Sequence, residues 1–356
     1  IQLASFTDKI SVRKAIQFID ITGAIAFTPT EWLSVGLGLH LITTELKIAT
    51  VVGGNSTPLN GSPQVTDGVN FPGNPSYSDL LSLFSSDGTS DPTTVFKTRL
   101  NSFQFASTIS LSLRPLDNLG FGFSYRPRSW DPLRFTGSAT IDVSQTFAAL
   151  GPGTLPLLLL TLPNGGTEFA ANDFKADYDV ELVGTKVPRQ IRFNTVFWPT
   201  DSLLIAAEVA WIEWHRAFRK TNVYLSNGDN ADLNFIVGSD KIHTKLDALW
   251  SNQWVFSLYS AYAVKDVTFR AGFVYGKTPF NEDTQGVAPN AGLSDSTVML
   301  GMGWRVFGSP LELSWMVEHS FRTSQTSGSN LNTLTAQNTD YSAKQWFFHL
   351  GVSYSF

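Results

Sequence analysis

The sequence predicts an all-β chain folded as a transmembrane, antiparallel, up-and-down β-barrel. Three observations predict it. Apolar and polar residues alternate with period two over long stretches, no apolar run is long enough for a membrane helix, and the connections between stretches alternate between short and long.

The alternation is clearest at the end of the chain. There Trp346, Phe348, Leu350, Val352, Tyr354 and Phe356 interleave with Phe347, His349, Gly351, Ser353 and Ser355. The same period recurs at 33–41 (LSVGLGLHL), 103–113 (FQFASTISLSL), 119–125 (LGFGFSY), 267–275 (VTFRAGFVY), 298–306 (VMLGMGWRV) and 311–317 (LELSWMV). Successive strand side chains point to opposite faces, so each stretch sees two environments. Strand length separates lipid and lumen from core and water: these stretches run about 10 to 20 residues, where soluble strands average about 5–6 and a tilted membrane strand needs about 9–11. Trp130, Trp198, Trp254, Tyr262, Trp304 and Tyr354 lie near segment ends, where membrane barrels carry aromatic girdles.

Composition agrees. Hydrophobic residues make up 42% of the chain and charged ones only 15%, below the roughly 25% of soluble domains. The longest apolar run, LPLLLLTLP at 155–163, is broken by prolines, and a membrane helix needs about 20 residues. The net charge of −5 with no basic stripe excludes a nucleic-acid partner. There is no cysteine, as suits a barrel without disulfides, and no signal peptide is visible.

About 11 strands are expected, at roughly 15–28, 33–50, 95–114, 118–142, 176–199, 203–224, 246–264, 267–279, 295–307, 311–323 and 343–356. The short connections (29–31, 115–118, 199–202, 265–266 and 308–310) consist of turn residues, and the long ones are about 51–94, 143–175, 225–245, 280–294 and 324–342. Outer-membrane barrels place tight turns in the periplasm and long loops outside. The whole chain, 1–356, then reads as a single barrel domain whose first and last strands both run downward. Single-chain bacterial barrels have an even strand count, so an odd number of strands is expected before Ile1. The terminal Phe356, with apolar residues at every second position before it, has the form recognised by the outer-membrane barrel-assembly machinery.

Three stretches resemble the FadL/TodX family of outer-membrane hydrophobic-compound transporters. They are LGFGFSYRPRSWDPLRFTGSATI at 119–141, the span 188–218 with WPTDSL and AEVAWIEWHRAF, and the span 250–279 with WSNQW and FRAGFVYGKTP. The resemblance extends over the chain but leaves the family's N-terminal hatch and first three strands unmatched, implying 14 strands in a complete barrel. It further implies passive uptake of hydrophobic molecules such as long-chain fatty acids. A ligand binds among the external loops, moves to a pocket in the barrel, and leaves sideways through the wall into the outer-membrane lipids.

Two loops are expected to form the capture groove. The first contains YSDLLSLF, a short amphipathic helix with Tyr77, Leu80, Leu81, Leu83 and Phe84, and with Ser76 or Ser78 as cap. The second contains Leu155, Leu157, Leu158, Leu159 and Leu160, an apolar run that a water-facing loop would not otherwise expose. The alternation turns Arg114, Arg192, Arg270, Arg305, Glu312, Glu318, His40 and His349 into the lumen, with Met316 and Phe347 beside them. Arg192 and Arg270 are the candidates for holding a fatty-acid carboxylate, since a guanidinium fork matches two oxygens; pairing with lumen glutamates is the competing use.

No enzyme, cofactor or metal is expected. The five histidines (His40, His215, His243, His319 and His349) lack metal-ligand spacing, and no nucleophile elbow or phosphate-binding loop occurs. A general diffusion porin is the alternative, disfavoured by the apolar loop runs. A third is an adhesive barrel that presents its loops to partners.

Overall fold

The computed structural model describes residues 13–52, 61–62, 64–66, 69–70, 73–77, 79, 94–142, 175–284, 295–326 and 340–354. Its main feature is one antiparallel sheet of 15 strands. Strands β1 (Arg13–Thr30), β2 (Leu33–Val52) and β5 (Thr94–Leu116) pair in sequence. A separate ribbon, β3 (Gln64–Thr66) with β4 (Val69–Asn70), lies in the connection between β2 and β5.

Beyond β5 the sheet forks. The half of β5 near the 117–118 turn pairs with β6 (Leu119–Arg126), followed by β9 (Gln190–Thr200), β10 (Leu203–Ile212), β13 (Gln253–Val264), β14 (Val267–Tyr275), β15 (Ser296–Arg305), β16 (Leu311–Thr326) and β17 (Asp340–Tyr354). The other half of β5 pairs with β7 (Arg134–Asp142), and from there the order is β8 (Lys175–Val183), β11 (Lys220–Ser226) and β12 (Ile242–Asp247). Strands β1, β12 and β17 are the edges of the forked sheet, and among the described residues no pairing joins β1 to β17.

The fork corrects the expected strand list. The stretches 118–142, 176–199, 203–224 and 246–264 are not continuous strands. Each is interrupted, at 127–133, 184–189, 213–219 and 248–252. Local chemistry explains the breaks. Pro127, Pro132 and Pro188 cannot donate to a ladder. Gly184 has φ +137 and Leu249 φ +47, and the single helical turn α1 (Trp214–Ala217) replaces strand in the third. The four breaks are stitched into one belt by Ser129 N–H to Val187 O (3.2 Å), Leu133 N–H to Thr185 O (2.6 Å), Lys186 N–H to Ala217 O (3.0 Å) and Ala248 N–H to Arg219 O (3.0 Å).

Below the belt, side-chain exposure follows the predicted alternation. Phe27, Phe105, Phe348 and Leu350 are 70%, 71%, 76% and 90% exposed, which only an apolar solvent makes favourable. Strands β9, β10, β14 and β15 have 11, 10, 9 and 10 residues, matching the roughly 9–11 of a tilted membrane span. Tyr262, Trp304 and Tyr354 rim the end with the short turns, and Trp211, Trp254, Tyr275 and Trp346 rim the belt end. Along β13, Trp254 and Tyr262 lie eight residues apart, roughly 20 Å of height at ~3.4 Å per residue and ~40° of tilt. Trp198 does not join the girdle. It faces the lumen, over Gly120 and with the Arg114 guanidinium 5.4 Å from its ring centre, because an inward position on β9 offers a cation to stack on.

Above the belt the apolar residues turn inward and build a small core. Leu100, Ala139, Ile141, Ala176, Tyr178, Val180, Val223, Leu225 and Ile242 bury against helix α2 (Ala231–Val237) through Leu233, Ile236 and Val237. The connection at 225–245 thus carries a helix that the sequence reading leaves as loop. Asn230 caps it by accepting from Leu233 N–H at 3.0 Å, and Gly238 ends it in the left-handed region at φ 86. Tyr178 Oη donates to Asn234 Oδ1 at 2.9 Å. Burial, which disfavours the phenolate, pushes the Tyr178 hydroxyl up to about 12. A hydroxyl that ionises near 10 in the unfolded chain and near 12 in the fold holds its proton longer when folded. Its stabilisation is complete below pH ~10 and is lost as pH rises through ~12. A spectroscopic titration should show a last tyrosinate step near pH 12 that disappears in Tyr178→Phe; the same step in the variant would refute the burial argument.

Candidate functional site

The most informative place in the wall is where the fork leaves β5 unpaired. The β5–β7 ladder ends at Asn101↔Thr136 and the β5–β6 ladder begins at Ile109↔Tyr125. Between them, residues 102–108 keep their pairing to β2, but no ladder or backbone hydrogen bond among the described residues joins them to the break 127–133. A side chain bridges the two, with Gln104 Nε2 donating to Asp131 O at 3.3 Å. The wall therefore has an interrupted seam, low in the upper half of the sheet.

Two cavities flank this seam. One, of about 440 Å³, lies on the lumen face and is lined by Thr22, Gly36, Thr108, Ser124, Arg126 and Arg192 among others. The other, of about 450 Å³, lies among outward residues Ile21, Leu39, Leu41 and Phe105 and the break residues Pro127 and Trp130. His40 lines both. It is held at the boundary by hydrogen bonds from its Nδ1 side to Thr22 Oγ1 (3.0 Å) and Asp20 (3.2 Å), and from Nε2 to Thr108 Oγ1 (3.0 Å). Arg126 Nε donates to the same Thr108 hydroxyl at 3.4 Å. Four strands thus converge on one polar group that separates a polar lumen from an apolar outer groove.

The candidate carboxylate ligands differ. Arg192 borders the lumen cavity, and its guanidinium lies 3.7 Å from Glu208, a loose pair. Arg270 is bound to Glu312 at 2.7 Å across the sheet. Glu318 lies 3.5 Å from His349 in the same cross-strand manner. Such half-exposed pairs contribute at most about 1 kcal/mol each. Their stronger effect is to fix lumen side chains. Met316 and Phe347 take lumen positions opposite His349 and Glu318.

Tyr77 is fully buried. It is helical, as is Asp79, and the reciprocal bonds Asp79 N–H to Ser76 Oγ (3.1 Å) and Ser76 N–H to Asp79 Oδ2 (2.8 Å) make Ser76 the cap. Its ring meets Phe235 of α2 edge-on at 6.2 Å. The first long loop thus docks on the 225–245 connection through Tyr77. Leu80, Leu81, Leu83, Phe84, Leu155, Leu157, Leu158, Leu159, Leu160 and Phe356 lie outside the described residues.

Sequence reading misses Asp20, Arg126, Arg128, Arg189 and Glu213. The signal for Arg126 and Arg128 is the proline-interrupted stretch RPRSWDP at 126–132, a ladder breaker flanked by cations. Among the described residues no cluster of three His, Asp or Glu has metal-site geometry.

A fold of this kind has known relatives. The model of a family described as outer membrane protein transport protein (OMPP1/FadL/TodX) matches residues 4–356. The chain belongs to this FadL/TodX family. Solved FadL/TodX-type structures share the fold at low identity. The toluene transporter TodX of Pseudomonas putida has 14% identity and a TM-score of 0.62, over 96% of this chain and 70% of that one. A FadL homologue of Pseudomonas aeruginosa has 17% and 0.59, over 95% and 67%. The toluene transporter TbuX of Ralstonia pickettii has 14% and 0.58, over 87% and 64%. The chain spans about two thirds of the length of these relatives. No curated protein sequence matches it. As a FadL/TodX member the chain is a Gram-negative outer-membrane β-barrel, in a family of transport proteins rather than enzymes.

Proposed function

We propose that this barrel carries hydrophobic small molecules across the outer membrane and releases them sideways through the seam between 102–108 and 127–133. The observation that carries the reading is the pair of cavities meeting at His40, one lumenal and one among lipid-facing residues. An apolar solute moving from the first to the second exchanges polar walls for Ile21, Leu39 and Phe105 without crossing bulk water, which is favourable at about 25 cal/mol per Å².

Long-chain fatty acids suit this path, because Arg192 and Arg126 border the lumen cavity and a carboxylate needs such a counter-charge. Arg192 is the better of the two candidate ligands, since Arg270 is already engaged by Glu312. The relatives TodX and TbuX are toluene transporters and CymD is a monoaromatic hydrocarbon channel, so uncharged aromatics are the second reading. Capture falls to the apolar loop residues Leu80, Leu81, Leu83, Phe84, Leu155 and Leu157 to Leu160, with Tyr77 anchoring the first loop. The C-terminal sequence through Phe356, with apolar residues at every second position, serves recognition by the barrel-assembly machinery.

The test is uptake of radiolabelled oleate and toluene by cells making the full-length protein, beside single-channel conductance. Transport with conductance near zero is expected, and Arg192→Gln should lower oleate uptake about tenfold while leaving toluene uptake unchanged. Large, steady conductance without uptake of either compound would establish a porin instead.

A further inference from the structure

The belt carries a second site, on the outside of the wall. Glu213 follows the last residue of β10, and its side chain is only 7% exposed. Three guanidinium groups surround its carboxylate. Arg189 Nη2 donates to Oε1 at 2.8 Å, Arg128 Nη1 lies 3.7 Å from Oε2, and Arg216 Nε lies 3.7 Å from Oε1. One carboxylate cannot neutralise three cations, so the cluster holds an excess of two positive charges. The side chains of Arg128 and Arg189 are about one third exposed and that of Arg216 is 65% exposed. Lys186 adds a further cation, its Nζ donating to Trp130 O at 2.8 Å.

Position gives the cluster its meaning. The Arg189 guanidinium stacks 5.3 Å over the ring of Trp211, and Trp211 belongs to the outward aromatic rim, opposite Trp254. Glu213 lies just past the 10 residues of β10, counted from the short turn, the length that spans the hydrocarbon of a membrane. The cations therefore sit on the lipid side of the wall, at the height where acyl chains end and headgroups begin. Beside them, Arg128 and Trp130 border the outward apolar groove.

We infer that Arg128, Arg189 and Arg216 form a binding site for a phosphate of an outer-leaflet glycolipid, with Glu213 holding the three guanidiniums in a fork. Paired charge-assisted hydrogen bonds favour Arg over Lys for oriented phosphate contacts, and basic pockets at this depth select phosphorylated headgroups. The occupant is a phosphorylated glycolipid rather than a soluble anion, because the aromatic rim and the apolar groove directly below would face its acyl chains. The site borders the outward groove of the proposed exit, which Arg128 and Trp130 line, and would hold the lipid next to the seam.

The test uses the full-length protein in nanodiscs and compares retention of lipid A, enzymatically dephosphorylated lipid A and phosphatidylglycerol by native mass spectrometry. Lipid A should be retained at least tenfold over both others. The double variant Arg128→Gln/Arg216→Gln should lower lipid A retention about tenfold or more, at the usual worth of a headgroup-level Arg. The Arg128→Lys/Arg216→Lys variant keeps the charge but loses the fork, so it should retain more lipid A than the Gln variant and less than the parent protein, and it controls for misfolding. Equal retention of the three lipids, full retention by the Gln variant, or displacement of lipid A by millimolar inorganic phosphate would each overturn the assignment.

Discussion

Tying residue 104 to residue 131 should stop transport. The chain has no cysteine, so Gln104→Cys with Asp131→Cys introduces one addressable pair, placed where Gln104 Nε2 already reaches Asp131 O at 3.3 Å. A short cleavable bismaleimide linker across the pair would clamp the break at 127–133 to β5. If solutes leave through the seam, labelled oleate uptake should fall at least tenfold on linking and recover on cleavage. The break is otherwise tied to 184–189 on its far side, so the linker restrains the seam and leaves the rest of the belt untouched. Unchanged uptake with complete linking would place the exit elsewhere and remove the seam from the mechanism, while leaving the glycolipid site unaffected.

Gly61→Ala should undock the first long loop. Gly61 lies against the C-terminal part of α2, with its N–H donating to Ile236 O at 2.9 Å and its carbonyl accepting from Tyr77 N–H at 2.8 Å. A Cβ there would overlap the carbonyl oxygen of Phe235 and come within 2.7 Å of that of Ile236. Both are backbone atoms of a capped helix and cannot swing aside. Overpacking of this kind costs about 1–3 kcal/mol, often more against backbone. The docking of 61–79 is local, so the loss should appear as local opening rather than as collapse of the barrel. Limited proteolysis between 53 and 93 should accelerate at least tenfold. Hydrogen exchange at Leu233 and Ile236 should rise in step, with the membrane strands unchanged. Unaltered cleavage would mean that the loop is held by contacts other than Tyr77 and Gly61.

These two tests act on parts of the molecule that differ in how far the sequence announces them. Period-two alternation is a property of each strand alone. Once Phe348 and Leu350 are seen to alternate with Phe347 and His349, the two faces and the membrane environment follow without knowledge of any neighbour. Short polar turns against long connections likewise predict an orientation. That local logic placed Arg192, Arg270, Glu312 and His349 on the lumen face. It failed at Trp198, where the stacking partner, Arg114, comes from two strands away.

What the sequence by itself determined is therefore the barrel class and the lipid and lumen faces, because each depends on interactions within a few residues. The tertiary structure alone decided that four strand breaks align into one belt, that β5 is left unpaired beside it, and that Arg128, Arg189 and Arg216 close around Glu213. Those facts depend on cross-strand register. Register brings together residues tens of positions apart, and it is set by ladder hydrogen bonds and packing across the whole sheet rather than by any one segment.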